Sequence, residues 1–393
     1  MARRVGYALI PLLLAGLAGA RPPVIQDPGG KALSAFHKAL KRTARGVDQT
    51  RILQFGASHT ECDLFTGYLR RYLQSRFGDA GHGYLMPARP WKGYRHQDVR
   101  LDSSDGWVVD KALGNTSRED GLYGLGGFSC AAGSADEWAF FGTSTSSPFG
   151  RSASRFEVFF LEQPRGGGFE VLLDGQPYAT VSTHASATGF GTFVGRMEDA
   201  SHEIELRPLA DGEVRLLGAV LERGAPGVVV DTLGIRGARA ADLLDIDEAL
   251  WGEQVRRRQP NLVVLAYGTN EAGDHHQSLD AYRRKLEAVL DRVKSAAPGA
   301  ACVLIGPTDR PKKLRRNQWE PRERVEEVDE AQAQVSASFG CGFFSAFQAM
   351  GGPLSMVKWQ KANLAQNDGV HLTTRGYELL AEHFAKGLLE GYE

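Results

Sequence analysis

The stretch Arg51-Ile-Leu-Gln-Phe55, followed by Gly56-Ala57-Ser58-His59, predicts a buried strand that ends in a tight turn. From residue 62 to residue 77 the apolar side chains then recur with helical spacing. They are Leu64, Phe65, Tyr68, Leu69, Tyr72, Leu73 and Phe77. A strand, a turn and a helix in this order form the opening unit of an α/β fold, with Ser58 at the carboxyl end of the first strand.

After residue 226 the sequence alternates between apolar strand-like runs and helical patterns. The predicted strands are 228–231, 262–266, 302–305 and 342–344, and the predicted helices are 238–249, 279–296, 322–338 and 373–389. A shorter helix is expected within 31–45. This alternation predicts a parallel sheet with helices on both faces, a three-layer, flavodoxin-like α/β fold.

Residues 100–225 have a different character, with clusters of Gly, Ser and Thr between short β-type runs. Such runs occur at 156–160, 169–173 and 203–207, and Asp174-Gly175 is a turn signal after one of them. We therefore predict an all-β sandwich or jelly roll inserted into the α/β domain. The predicted domains are 21–99 together with 226–393 for the catalytic part, and 100–225 for the insertion.

The first twenty residues predict a secretory signal peptide. Arg3 and Arg4 precede an apolar run at 5–17, and Ala18-Gly19-Ala20 supplies small residues for cleavage. The apolar run is short for a membrane span, although an uncleaved anchor is the alternative. The expected location is the periplasm or the outside of the cell.

Composition excludes several classes of protein. The chain of 393 residues is 42% hydrophobic and 24% charged, as expected for a globular protein with a core. Its net charge of −1 provides no excess of cations for binding nucleic acid. The one long apolar run, at the N-terminus, excludes a multispanning membrane protein.

The cysteines and histidines predict no metal site and no cofactor. Cysteines occur only at Cys62, Cys130, Cys302 and Cys341, without a C-x-x-C pair. In an oxidising compartment they allow three full pairings, between which the sequence does not choose. Unpaired, Cys302 and Cys341 would serve as small buried hydrophobic residues. His275-His276 has no third ligand at a suitable spacing, which favours a solvated loop.

Polar residues follow the predicted strands where a parallel sheet forms its sites. Ser58 follows the first strand, Gly237 lies after the second, and Asn270 follows the third in Gly268-Thr-Asn270. Asp368 and His371, in Asp368-Gly-Val-His371, precede the last helix. Taken singly, each residue could be an ordinary turn or cap residue, but together they form an ordered set.

This ordered set resembles the SGNH/GDSL hydrolase family. The resemblance implies that Ser58 is a nucleophile, His371 its general base and Asp368 the residue that orients the imidazole. It also implies an oxyanion hole made by the backbone N–H groups of Ser58 and Gly237 and the side chain of Asn270. The family usually has Asp before the nucleophile, where this chain has Ala57. That Asp normally supports the loops around the site.

Further stretches, at 65–71, 77–81 and 350–359, resemble bacterial peptidoglycan O-acetylesterases with an inserted carbohydrate-binding-like β domain. The resemblance implies that the chain removes O-acetyl groups from cell-wall glycan without a cofactor. Esters of another acetylated polysaccharide, small esters, acyl transfer, and a non-catalytic glycan-binding protein are the alternatives. The oligomeric state is not predicted.

Other polar and aromatic residues near the motifs have two possible roles. Trp91 and Tyr94 could form a floor on which a sugar stacks, or could pack in the core. His59 is expected to have a packing role, because it is adjacent to Ser58 and points elsewhere. The basic run 310–316 is expected to be a solvated loop rather than a binding patch.

Overall fold

The computed structural model describes residues 24–113, 118, 120–315 and 318–393. The predicted signal peptide, residues 1–20, lies outside this part of the chain. No helix among the described residues is both long enough and apolar enough to cross a membrane.

The strands, in chain order, are β1 (Gln49–Gly56), β2 (Gly81–Leu85), β3 (Val99–Ser103), β4 (Val108–Lys111), β5 (Phe128–Ala132), β6 (Ala139–Thr143), β7 (Ala153–Glu162), β8 (Gly168–Leu173), β9 (Gln176–Ser182), β10 (Gly189–Ala200), β11 (Glu203–Pro208), β12 (Val214–Glu222), β13 (Gly227–Gly234), β14 (Leu262–Ala266), β15 (Ala301–Ile305), β16 (Lys312–Arg315), β17 (Gln318–Glu320) and β18 (Gly342–Phe344).

The helices, in chain order, are α1 (Ser34–Ala44), α2 (Ser58–Glu61), α3 (Leu64–Phe77), α4 (Glu248–Arg258), α5 (Leu279–Ala296), α6 (Glu323–Ser338), α7 (Ala346–Met350), α8 (Ser355–Lys361) and α9 (Thr374–Leu388). Two 3₁₀ helices occupy Ala240–Asp245 and Glu271–Gly273.

The α/β part is built on a five-stranded sheet with the order β13-β1-β14-β15-β18, and all its neighbouring strands are parallel. Gly56 at the end of β1 lies opposite Gly234 of β13 and Ala266 of β14. The carboxyl ends of these three neighbouring strands therefore meet at one edge of the sheet, from which the loops of the site emerge.

Helices cover both faces of this sheet, because the strand side chains alternate between two apolar cores. Ile52 of β1 belongs to the core formed with α1, α3 and α9, whereas Leu53 and Phe55 belong to the core that includes α4, α5 and α6. The predicted three-layer fold class is confirmed.

One predicted helix, at 238–249, is wrong. The chain instead forms the 3₁₀ helix Ala240–Asp245 and then begins α4 at Glu248. Two aspartates set these boundaries: Asp242 accepts the backbone N–H of Arg239 at 2.7 Å, and Asp247 caps α4 by accepting the N–H of Leu250 at 2.8 Å. Side-chain caps therefore divided a segment whose apolar spacing alone predicted one helix.

The remaining strands form two antiparallel sheets and a small hairpin. One sheet has the order β10-β7-β12-β5-β4, and the other β3-β6-β11-β8-β9. The strand β2 also pairs with β12, although its residues lie in the range assigned to the catalytic part. The domain limits 21–99, 100–225 and 226–393 stay a prediction.

The two parts meet through a buried ion network. Arg258 of α4 donates to Asp231 of β13 at 2.7 Å and to Glu222 of β12 at 2.7 Å. Asp231 also accepts the backbone N–H of Tyr84 in β2 at 2.8 Å. The three charged side chains are at most 1% exposed. One guanidinium thus links the parallel sheet to the antiparallel sheet.

The cysteine pairing that the sequence left open is resolved as one disulfide between Cys302 and Cys341. Their Cα atoms are 4.8 Å apart. Cys302 lies in β15 and Cys341 directly precedes β18, so parallel pairing brings them together. Both are buried, but as a bonded pair rather than as separate thiols. Cys62 and Cys130 are free cysteines.

Candidate active site

Ser58 begins the short helix α2 directly after β1. The backbone N–H groups of Thr60 and Glu61 both donate to the carbonyl of Ala57, which closes this turn tightly. A Cβ at Gly234 would collide with the backbone of Glu61, so β13 can approach the turn only with glycine there. As the first residue of a helix, Ser58 has no preceding turn to accept its N–H.

Ser58, His371 and Asp368 form a continuous hydrogen-bonded row. His371 Nε2 lies 2.9 Å from Ser58 Oγ, and His371 Nδ1 lies 2.6 Å from Asp368 Oδ2. The row joins two segments that are far apart in the chain, and each of its members was a predicted site residue. A hydroxyl, an imidazole and a carboxylate in this order can transfer a proton away from the hydroxyl.

Asp368 is fixed by its own turn. Its Oδ1 accepts the backbone N–H groups of Val370 and His371, each at 2.9 Å. Partial burial acts to raise the pKa of Asp368, but the bonds from the side chain of His371 and from the two N–H groups lower the pKa overall. The carboxylate therefore stays ionised where it meets the imidazole.

The turn that carries Asp368 is backed by the hairpin β16–β17. Gly369 has a φ of +76°, and a Cβ there would lie 2.9 Å from atoms of the Trp319 ring. The sequence predicted a solvated loop for 310–316, whereas Lys312–Arg315 forms a strand of this hairpin. No signal in the sequence pointed to Trp319 as a neighbour of the predicted base.

Gly237 and Asn270 lie on two loops that are tied to each other. Asn270 Nδ2 donates to the carbonyl of Ala238, the neighbour of Gly237, at 2.9 Å. Gly237 has a φ of +86°, a conformation that glycine adopts without strain. One N–H of the Asn270 amide is used in this bond, and the amide has a second.

Glu271 also connects the loop that contains Gly237 with the loop that contains Asn270. Its side chain is buried and accepts the N–H of Ala240 at 2.9 Å and the N–H of Gly268 at 3.0 Å. Burial raises the pKa of Glu271, and these backbone bonds act against that rise.

These bonds bear on the absence of Asp at position 57. Ala57 is buried, and its side chain has no polar atom. The loops are connected instead by Asn270, by Glu271 and by the N–H of Ile235, which donates to the carbonyl of Gly56 at 3.1 Å. The support expected from a carboxylate at 57 is thus distributed over other residues.

His59 packs behind the row, in agreement with the packing role expected for it. Its Nδ1 lies 2.9 Å from the Tyr377 hydroxyl, and its ring centroid lies 5.5 Å from that of His371. Burial, with help from His371, lowers the pKa of His59 to about 3. His59 is therefore a neutral support for His371 at physiological pH.

The two aromatic residues proposed as a sugar floor lie in different environments. Tyr94 is 8% exposed, accepts the N–H of Met86 at 2.9 Å and bonds to His96 at 2.9 Å. Trp91 is partly buried, packs edge-on against Tyr94 and lies at a tilted angle against Phe128. Burial favours the packing role for Tyr94, so a stacking role stays a prediction that depends mainly on Trp91.

A buried group of Asp63, His82 and His96 has donor atoms close enough to be considered for a metal ion. Asp63, however, forms a salt bridge with Arg70 at 2.8 Å and accepts hydrogen bonds from the hydroxyl groups of Thr66 and Thr232. His82 Nε2 bonds to His96 Nδ1 at 2.9 Å. The carboxylate is committed to a cation and to hydrogen bonds, which does not fit a divalent ion.

Residues 206–379 match the GDSL-like Lipase/Acylhydrolase family. A solved structure of a peptidoglycan O-acetylesterase is 28% identical in sequence to this chain and superposes with a TM-score of 0.79. The match covers 94% of this chain and 99% of the esterase chain. No curated protein matches the chain.

Two further solved structures are less similar. An active-site mutant of a family two carbohydrate esterase from Clostridium thermocellum is 12% identical, over 74% of this chain and 100% of its own, with a TM-score of 0.33. An acetyl xylan esterase is 17% identical, over 40% and 78%, with a TM-score of 0.31. The family match and the peptidoglycan O-acetylesterase confirm the family resemblance drawn from the motifs.

Proposed function

We propose that this chain, a carboxylic ester hydrolase of the SGNH/GDSL family, removes O-linked acetyl groups from cell-wall peptidoglycan through an acetyl-serine intermediate. The observation that carries the proposal is the row of hydrogen bonds from Ser58 through His371 to Asp368, at 2.9 and 2.6 Å. A serine hydroxyl is a weak nucleophile and needs such a base within hydrogen-bond reach.

In the first half of the reaction Ser58 Oγ attacks the acetyl carbonyl while His371 Nε2 takes the hydroxyl proton. Asp368 stabilises the resulting imidazolium and keeps Nε2 directed at the serine. The tetrahedral intermediate then collapses, the bond to the sugar oxygen breaks, and His371 returns the proton to that oxygen. The sugar leaves with a free hydroxyl, and Ser58 carries the acetyl group.

The negative oxygen of the tetrahedral intermediate needs hydrogen-bond donors. We assign this role to the N–H groups of Ser58 and Gly237 and to the amide of Asn270, the second N–H of which is not used in its bond to Ala238. Removing one such donor typically lowers kcat by about 10²–10³-fold.

In the second half a water molecule replaces the sugar. His371 takes a proton from the water, which attacks the acetyl carbon, and acetate is released when the bond to Ser58 Oγ breaks. The proton returns to Oγ through His371, so the enzyme is regenerated without a cofactor.

The substrate assignment is supported by the similarity to a peptidoglycan O-acetylesterase over nearly the whole of both chains. A location in the periplasm or outside the cell fits this substrate. The disulfide between Cys302 and Cys341 supports the same location, because disulfides persist in oxidising compartments.

Acetate release from O-acetylated peptidoglycan tests the proposal. The wild type should release acetate, and Ser58→Ala and His371→Ala should each lose about 10⁴-fold or more of kcat. Ser75→Ala is a matched control, because Ser75 is exposed and bonds only within its helix. A wild type that releases no acetate, or a Ser58→Ala variant that releases it at the normal rate, would contradict the proposal.

Acetylated xylan and 4-nitrophenyl acetate, assayed beside peptidoglycan, test the substrate separately from the chemistry. We expect the highest kcat/KM on peptidoglycan. A clear preference for xylan would leave the serine mechanism in place and overturn the cell-wall assignment. A sugar acceptor added to the assay distinguishes hydrolysis from transfer, since transfer yields acetylated acceptor in place of acetate.

A further inference from the structure

Arg236 holds an exposed guanidinium beside the loop proposed to bind the oxyanion. It directly precedes Gly237 in the loop after β13, and its side chain is 75% exposed. Its Nη2 lies 3.4 Å from Glu61 Oε2. Because a guanidinium carries five N–H donors, this one long contact leaves most of them open to a ligand.

Glu61 connects this arginine to the Ser58 helix. It is the last residue of α2, the helix that Ser58 begins, and its side chain is 5% exposed. Burial raises the pKa of Glu61, while the positive charges of Arg236, His371 and Arg95 act to lower it. The buried carboxylate thus contacts the guanidinium of Arg236 and lies within the electrostatic influence of His371. Through its contact with the guanidinium, Glu61 holds Arg236 beside the helix that begins with Ser58.

Two other cations lie near these residues. Arg95 is exposed, and its charge acts on Glu61. The ammonium of Lys313 lies 5.4 Å from the centre of the Trp319 ring, which rests on Gly369. Neither side chain has an acid within salt-bridge distance among the described residues.

Three acids of the same loops are already paired. Asp274 pairs with Arg239, Glu320 pairs with Lys312, and Asp368 pairs with His371. These three carboxylates are therefore not free to neutralise Arg236, Arg95 or Lys313.

We propose that Arg236 and the neighbouring cations bind a carboxylate of the glycan, so that the enzyme selects acetylated polymers that carry acidic groups next to the ester. The planar guanidinium can hold both oxygens of a carboxylate at once. This subsite deepens the proposed function and rests on it, because the ligand is part of the same substrate. It adds a determinant of binding beside the reacting atoms.

The test compares two forms of one polymer. O-acetylated peptidoglycan is divided, and the carboxylates of one half are converted to neutral methylamides with a carbodiimide at mildly acidic pH. Acetate released by alkali confirms that both halves hold the same number of esters. The readout is the ratio of kcat/KM on the acidic polymer to kcat/KM on the amidated polymer.

We expect this ratio to be about tenfold for the wild type, near one for Arg236→Gln, and intermediate for Arg236→Lys, which keeps the charge but not the planar fork. The change should lie in KM and should shrink at high salt. Arg256→Gln is the matched control. Arg256 is exposed near the end of α4, which leads into the start of β14 at the opposite edge of the sheet, so its ratio should equal that of the wild type.

A wild-type ratio near one, or an Arg236→Gln ratio equal to that of the wild type, would overturn the subsite while leaving the esterase assignment intact. Absence of acetate release from both polymers by the wild type would overturn the proposed function and the subsite together. Arg236→Gln alone leaves the buried carboxylate of Glu61 without its partner, and the double variant Glu61→Gln, Arg236→Gln removes that carboxylate. A ratio near one in both the single and the double variant therefore shows that the loss of preference comes from the missing guanidinium rather than from Glu61.

Discussion

At the scale of single residues, the positions of Asp368 and of the proposed base His371 depend on the glycine between them, Gly369. Gly369 follows Asp368, has a φ of +76° and lies against the ring of Trp319. A side chain at this position meets two penalties, since the left-handed backbone disfavours a Cβ and the indole occupies its space.

Gly369→Ala should therefore lower kcat for ester hydrolysis by about tenfold to a hundredfold, because the turn that carries Asp368 and His371 must shift. Gly175→Ala is the control. Gly175 also has a positive φ, +77°, but nothing lies within 4 Å of a Cβ there. Steady-state kinetics on a small ester and thermal unfolding check both variants. An equal kcat for Gly369→Ala and the wild type would contradict this prediction.

The residues of the candidate site could be predicted because each follows a strand or precedes a helix in a local motif. Ser58, Asn270 and His371 have this property. Glu61 and Trp319 do not, since their importance comes from contacts with Arg236 and Gly369 that only folding creates. Single-sequence motifs carry no information about such contacts.

At the scale of secondary-structure elements, the disulfide fixes the edge strand β18 to its neighbour β15. It closes a loop with a sequence separation of 39 residues, which contains the hairpin β16–β17 and the helix α6. In the loop-entropy description a loop of this length corresponds to about 4 kcal/mol of stabilisation.

Cys302→Ala combined with Cys341→Ala should lower the free energy of unfolding by about 2–4 kcal/mol, as measured by urea denaturation. Reduction of the wild type should give a similar loss. As a check of the pairing, alkylation of unreduced, unfolded protein should label only Cys62 and Cys130, the two free cysteines. Label on Cys302 or Cys341 under these conditions would contradict the pairing.

Most elements could be predicted from apolar periodicity, as α5 and α9 illustrate. The exception at 238–249 arose because caps from Asp242 and Asp247 divide the segment. The hairpin β16–β17 was missed for another reason. Its strand Lys312–Arg315 is basic and exposed, so it lacks the apolar alternation that indicates a strand.

At the scale of the whole molecule, Arg258 connects the two parts of the fold. Arg258→Met should lower the free energy of unfolding by about 3–5 kcal/mol, because Asp231 would be left buried without its cation, while Glu222 would keep only its longer contacts with Arg51 and Arg155. Arg256→Met, two residues earlier on the exposed side of the same helix, should change it by less than about 0.5 kcal/mol. Urea denaturation checks both, and equal stabilities of the two variants would contradict the role of the network.

Three buried histidines predict that the protein loses stability in mild acid. Burial lowers the pKa of His59 to about 3, that of His96 to about 4, and that of His82 well below its ordinary value of 6.5. Between pH 6.5 and about 4 the unfolded chain binds protons that the native protein does not, so stability falls as the pH falls. Urea denaturation should show this loss between pH 7 and pH 5, reduced by the carboxyls whose pKa burial raises, among them Glu61, Glu271 and Asp329.

Asp329 acts with the opposite sign and provides the control. Burial raises its pKa to about 7, so in the same range the native protein holds a proton that the unfolded chain has lost. Asp329→Asn should therefore make the acid loss steeper, whereas His59→Asn should reduce it by about a third of the histidine contribution. Stability that rises from pH 7 to pH 5 in the Asp329→Asn variant would contradict the assignment to histidines.

The arrangement of the parts was only partly accessible from sequence. The fold class and the antiparallel sheets could be predicted from alternation and turn residues. That β2 pairs with β12 could not, because Gly81–Leu85 is fully buried and follows α3 like a strand of the parallel sheet. The limits of the domains therefore remain to be tested by expressing the parts separately.

The short connection from β12 to β13 restrains motion between the antiparallel and the parallel sheets. Only residues 223–226 separate the two strands, and the Arg258 network locks them together from the side. The antiparallel and parallel sheets are therefore expected to move as one unit. We expect a substrate to reach Ser58 without closure of one part of the fold over the other.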